Sequence, residues 1–166
     1  MRGEEEVRLR PPRHRVDRRA VAWWRVRCLL AAAVPVAVTG AVGVFVGPAR
    51  PGLWYAAAAI AAAGLLVAAF LPLWWYRVHR WEVTEDAVYV RTGALWQEWR
   101  IAPMSRIQTV DTVRGPLEQG FRLATVTVTT ASAKGDIRIE GLDHARAAEL
   151  AEQLTRITGA TPGDAT

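Results

Sequence analysis

Two long stretches without a formal charge, Cys28 to Val46 and Leu53 to Tyr76, constrain this chain more than any other feature. A bilayer core about 30 Å thick takes roughly 20 apolar residues at about 1.5 Å rise each, and both stretches supply that length. Only Gly47-Pro48-Ala49-Arg50-Pro51-Gly52 lies between them. The sequence therefore predicts a membrane α-helical hairpin, with helix one over 23–47, an external turn at 48–52 and helix two over 53–76. Aromatic pairs mark the same boundaries: Trp23-Trp24 lead into the first span, Trp54-Tyr55 open the second and Trp74-Trp75-Tyr76 close it. Amphipathic rings favour such interfacial belts, and Trp54 to Tyr76 is about 33 Å of helix.

The charge balance divides at the end of the second span. Residues 1–80 carry 12 arginines against four acids, whereas residues 81–166 carry nine lysines and arginines against 12 acids. The pI near 10.3 thus belongs to the membrane flanks and does not mark a nucleic-acid surface. Nine arginines precede the uncharged stretch that begins at Cys28, and Arg77 and Arg80 follow the second stretch. Basic residues near span ends stay cytoplasmic, which predicts both termini inside the cell (inner) membrane and the turn outside, with Arg50 the dissenting charge. Residues 1–22 mix Glu4-Glu5-Glu6, arginines and Pro11-Pro12 without an apolar period, and are expected to form a disordered basic cytoplasmic arm. The Arg18-Arg19 pair resembles an export signal, but a second span follows directly, which favours a retained anchor. A DNA-binding role for the arm would predict salt-sensitive binding.

Within the spans, Thr39, Gly43 and Gly47 stand four apart, and Ala56, Ile60 and Gly64 add a second small-residue surface. Such spacing lets backbones approach closely, so the spans can pack on each other or on another copy. Neither uncharged stretch, 28–46 or 53–76, holds an Asp, Glu, Lys, Arg or His, which argues against a transport path or proton relay. The single cysteine, Cys28, excludes an intramolecular disulfide and reads as a small residue at the lipid boundary.

Beyond Arg80 the apolar period changes to two. Strands are expected at 81–84, 87–91, 95–101, 107–114, 124–130 and 137–140, with turns at Glu85-Asp86, Thr92-Gly93, Gly115-Pro116 and 132–135. A helix closes the meander, with Asp143 as N-cap, Gly159 as the C′ residue and an apolar face of Ala147, Leu150, Ala151, Leu154 and Ile157. One terminal helix is the available cover for the apolar side of the sheet. Residues 159–166 are expected to be a tail.

Trp81-Glu82-Val83-Thr84 to Gly93, the phrase Pro103-Met104-Ser105-Arg106-Ile107-Gln108-Thr109-Val110-Asp111, Gly115-Pro116-Leu117-Glu118 and Gly120-Phe121-Arg122-Leu123 resemble bacterial pleckstrin-homology-like (PH-like) membrane proteins of the YdbS type. The paired spans match as well, and the resemblance runs from about Val21 to Ile157. It implies an α+β PH-like domain over 81–158: a bent antiparallel sheet, partly a barrel, closed by the C-terminal helix. It brings no agreed activity, and Phe121 departs from the glycine expected there.

Side chains that would carry chemistry are sparse. Several phosphate charges need several cations, yet the loop joining the first two strands is Glu85-Asp86, which disfavours phosphoinositide recognition by that route. His14, His79 and His144 are too scattered for a metal site, Ser105 and Ser132 lack a neighbouring histidine, and Asp111 reads as a solvent-facing strand residue. The sequence therefore predicts a non-enzymatic protein without cofactors. It is expected to act as a PH-like interaction or assembly module in a homo- or hetero-oligomer with other membrane proteins, with Trp96 and Trp99 as candidate partner-docking residues. The alternative is sensing of membrane lipid headgroups by Arg77, Arg80, Arg106 and Arg114.

Overall fold

A computed structural model of the protein describes residues 12–47, 50–93, 96–131 and 135–160. Helices α1 (Arg19–Phe45) and α2 (Arg50–Val78) form the hairpin. Helix α1 begins four residues before its expected span and ends two short of it, and α2 runs past both ends of its own, so Arg50, Pro51 and Gly52 of the expected turn are helical. The large side chains of both helices point outward: Val34 is 65% exposed, Leu66 60% and Phe70 68%. A helix serving a water-soluble core would bury these groups, so the outward face fits a hydrocarbon solvent.

Small residues hold the two helices together. A Cβ added at Gly64 would lie 2.5 Å from the Ala32 Cβ, and one at Gly43 would lie 3.3 Å from the Leu53 Cβ. Gly47, grouped with Gly43 by spacing, meets nothing within 4 Å. Pro35 and Pro72 lie inside the helices, and the Thr39 hydroxyl donates to the Pro35 carbonyl at 2.7 Å.

The head contains seven described strands in two antiparallel sheets. Strands β1 (His14–Arg15), β2 (Arg80–Val83), β3 (Ala87–Thr92) and β4 (Glu98–Pro103) form the first, in that order. Strands β5 (Ile107–Val113), β6 (Leu123–Thr130) and β7 (Ile137–Asp143) form the second. No ladder joins the sheets among the described residues, so the partial barrel expected from the resemblance is instead two sheets meeting over one core. A 3-10 turn at Met104–Arg106 separates β4 from β5 and breaks the ladder at that corner. A five-residue helix, α3 (Pro116–Gly120), sits where only a turn was expected. Pro116 pre-sets its first φ, and the Glu118 carboxylate accepts the Gly115 N–H at 2.7 Å.

Helix α4 (His144–Ala160) lies on the second sheet. Ala147, Leu150 and Leu154 bury against Val126, Val128, Ile137 and Ile139 as their spacing predicts. Asp143 Oδ1 accepts the Ala145 N–H at 3.0 Å, as an N-cap side chain does. Gly159 lies within the helix rather than after it.

The core corrects the reading of 1–22 as an unstructured arm. Residues 1–11 lie outside the described residues, but Pro12, Val16 and Ala20 are buried, and β1 pairs with β2. Val16, Ala20, Trp23 and Trp24 join Trp81, Val90, Ile139 and Leu142 in one apolar cluster. The arginines between them, at 13, 15, 18 and 19, are exposed, so charge and burial alternate along a segment whose mean composition is basic. The expected turn residues 48–49 and 132–134, and tail residues 161–166, also lie outside the described residues.

Candidate functional site

The most distinctive part of the structure is the junction between the hairpin and the head. Gly141 adopts φ +72°, and a Cβ there would lie 2.8 Å from the Ala20 Cβ. Its carbonyl accepts the Asp17 N–H at 2.9 Å. Arg19 pairs with both Asp17 and Asp143, bracing α1 against the end of β7. Bonding to the Arg19 guanidinium holds both carboxyls below the usual carboxylate range.

Aromatic rings fill the same level. Trp24 meets Trp75 edge-on at 5.7 Å between centroids and His79 at 5.2 Å. His79 Nδ1 lies 2.9 Å from the Trp75 carbonyl, which accepts a hydrogen bond when that nitrogen is protonated. Burial depresses the imidazole pKa below its ordinary value, although the Trp75 carbonyl and Glu140 both favour the charged ring.

Three chambers open around this junction. The first, about 450 Å³, is lined by His79, Glu98, Arg100, Arg138 and Glu140. The second, about 460 Å³, is bounded by Trp24, Arg27, Cys28, Ala31, Trp75 and Glu140. A third, about 260 Å³, runs under the start of α1 between Trp23, Arg27, Thr127, Arg138 and Glu140.

Strand register creates a second feature that the sequence reading missed. Arg15 stands opposite Arg80, Arg80 opposite Arg91, and Arg91 opposite Trp99, so three guanidinium-bearing residues share one face of the first sheet. Like charges at such positions repel, and aromatic faces partly offset this. Arg15 lies 5.9 Å from the Tyr76 ring centroid, and Arg91 lies 5.3 Å from that of Trp99. The Arg91 Nε is buried without a hydrogen-bond partner among the described residues.

The candidates named from sequence therefore separate. Arg80 belongs to this row, and Arg77 lies in the last turn of α2. Arg114 sits at the end of β5 nearest Trp23 and Arg27, where its Nε donates to the Leu123 carbonyl at 3.2 Å. Arg106 lies beyond the opposite end of that seven-residue strand, roughly 25 Å away at full strand extension, and cannot share one rim with Arg114. Trp96 and Trp99 also part: Trp96 is 83% exposed in the loop before β4, while Trp99 is partly covered beneath Arg91. Asp111 is exposed, as expected. No group of three or more potential metal ligands occurs among the described residues.

A hairpin of outward-facing apolar helices carrying two antiparallel sheets and a closing helix defines a membrane-anchored α+β protein. The family profile described as Bacterial PH domain matches residues 28–158, and the chain belongs to that family. It is also 28% identical over 156 residues to the UPF0699 transmembrane protein YdbS of Bacillus subtilis (strain 168), covering 92% of this chain and 97% of that protein. No solved structure matches the chain significantly. The two candidate spans and the transmembrane relative together make this a membrane protein.

Proposed function

We propose that the chain is a non-catalytic assembly module of the inner membrane, with both termini cytoplasmic and the PH-like head presented to another membrane protein or to a second copy. The observation that carries this reading is the continuous core. Residues on both sides of the hairpin, Val16 to Trp24 and Trp81 onward, pack into one cluster, so the head is mounted on the spans at a fixed orientation. A fixed mounting lowers the ordering cost of a lateral contact, which pre-organisation turns into affinity. Trp96, exposed at the tip of the β3–β4 loop, is the docking residue of choice because large aromatic anchors dominate such contacts. Trp96→Ala is expected to reduce partner cross-linking in native membranes while leaving the melting temperature of the purified chain unchanged. Unchanged cross-links and unchanged oligomer size in mild detergent would defeat the proposal.

A second reading, contact with anionic headgroups, is favoured by the row Arg15, Arg80 and Arg91. Near a negative surface each arginine contributes about 1 kcal/mol. The intact chain is the right material for its test, because a fragment beginning at Trp81 would lack Val16, Ala20, Trp23 and Trp24 from its core. Backbone amide exchange over 80–92 should slow when neutral nanodiscs are replaced by anionic ones. Equal exchange in both excludes this reading.

A further inference from the structure

The chambers beneath the hairpin meet at Glu140, which lines all three. Arg27 borders the second and third, and Arg138 the first and third. Arg27 rests its guanidinium 5.0 Å from the Trp23 ring centroid. Among the described residues none of the Arg27, Arg138 and Glu140 side chains makes a hydrogen bond or an ion pair within 4 Å. Neighbouring charges are engaged: Glu118 accepts from Gly115 and Thr125, and Arg100 binds Glu98 and the Asp136 carbonyl. Two guanidinium groups and one carboxylate thus lack a salt-bridge partner in a partly enclosed cleft, next to the apolar wall of Trp24, Cys28, Ala31 and Trp75, although Glu140 also feels the nearby His79 ring.

We propose that this cleft binds one inner-leaflet phospholipid whose headgroup carries a primary ammonium, with the phosphate between Arg27 and Arg138, the ammonium on Glu140, and the acyl chains leaving along Cys28 and Ala31. Guanidinium forks match phosphate oxygens, and a carboxylate is the natural partner of an ammonium. A purely anionic headgroup would satisfy the arginines but leave Glu140 beside a phosphate. A soluble phosphoamine would satisfy all three charges but leave the apolar chamber unused. Each of the two larger chambers falls within the size of small-ligand sites, about 300 to 1,000 Å³. Arg80 and Arg91 line a small cavity with Arg138 and Glu140, so the arginine row adjoins this site, while the binding of lipid here stands or falls independently of partner docking at Trp96.

The test uses the full-length protein in mild detergent, supplied with equal phosphatidylethanolamine and phosphatidylglycerol and examined by native mass spectrometry. One phosphatidylethanolamine should be retained per chain, with about a tenfold preference over phosphatidylglycerol. Arg27→Gln or Arg138→Gln should lower retention of both lipids about tenfold, and Arg138→Lys should restore part of it. Glu140→Gln should abolish the preference while phosphatidylglycerol is still retained. Soluble glycerophosphoethanolamine at the same concentration should not displace the lipid. Equal retention of the two lipids by the unaltered chain, a preference that survives in Glu140→Gln, or displacement by the soluble headgroup would each overturn the proposal. Melting curves in the same detergent separate loss of the site from loss of the fold. If an arginine variant misfolds, the Glu140→Gln comparison decides alone.

Discussion

The hairpin and the head are built from similar apolar residues used in opposite directions. In the hairpin, Leu, Val and Phe point away from the helix pair, and the contact between helices is made by Gly43, Gly64 and Ala32. In the head, Leu154, Val126 and Ile139 point inward and are almost completely buried. Water drives the second arrangement, because burying apolar area there is favourable. Lipid offers no such gain, so the spans associate through close backbone approach. The junction obeys both rules: Trp23 and Trp24 belong to a spanning helix yet bury in the head's core.

The comparison is tested most severely at the junction itself. Gly141→Val would force a β-branched residue into a left-handed conformation and press its Cβ on Ala20, at a cost of about 4 kcal/mol or more. The expected outcome is a head released from α1, read as new protease cleavage near residues 12–20 while the spans stay inserted. Intact, protease-resistant protein would mean that the two regions are not coupled there. Leu154→Ala asks whether inward burial carries the head: a loss of about 3 kcal/mol is expected in chemical unfolding monitored in detergent, against almost none for Leu66→Ala on the outward face of α2. Equal losses would erase the distinction between the regions. A smaller loss than at Leu154 is expected at Gly64→Val, where overpacking against Ala32 should cost about 1 to 2 kcal/mol. Disulfide cross-linking between cysteines placed at Val36 and Ala61 reports whether the helices move apart.

Much of this architecture was legible in the sequence because its patterns are long. The two spans announce themselves by the absence of charge, and α4 by Ala147, Leu150 and Leu154 at helical spacing. Strands β6 and β7 follow the alternation of Val126, Val128, Ile137 and Ile139. The 12–22 segment was misread because its mean composition is basic. Yet Val16, Ala20 and Trp23 or Trp24 repeat at three- and four-residue steps, and that stripe was the available signal. Helix α3, at five residues, is too short for any period, and only Pro116 hinted at it. The arginine row was illegible for a different reason. Arg15, Arg80 and Arg91 become neighbours only through strand register, which hydrophobic alternation does not assign between segments as far apart in the chain as residues 15 and 80. The lipid cleft likewise joins Arg27 on α1 to Arg138 and Glu140 on β7, at opposite ends of the chain.

The hydrogen bond between Asp17 and Gly141 has a bearing on biosynthesis. A ribosome releases the Val16 to Trp24 segment long before β7 exists, and both spans must be threaded into the bilayer in the interval. Those first apolar side chains therefore wait without their final neighbours. Closing so long a loop is slow, and the head reaches its native packing only after the last strand has been translated.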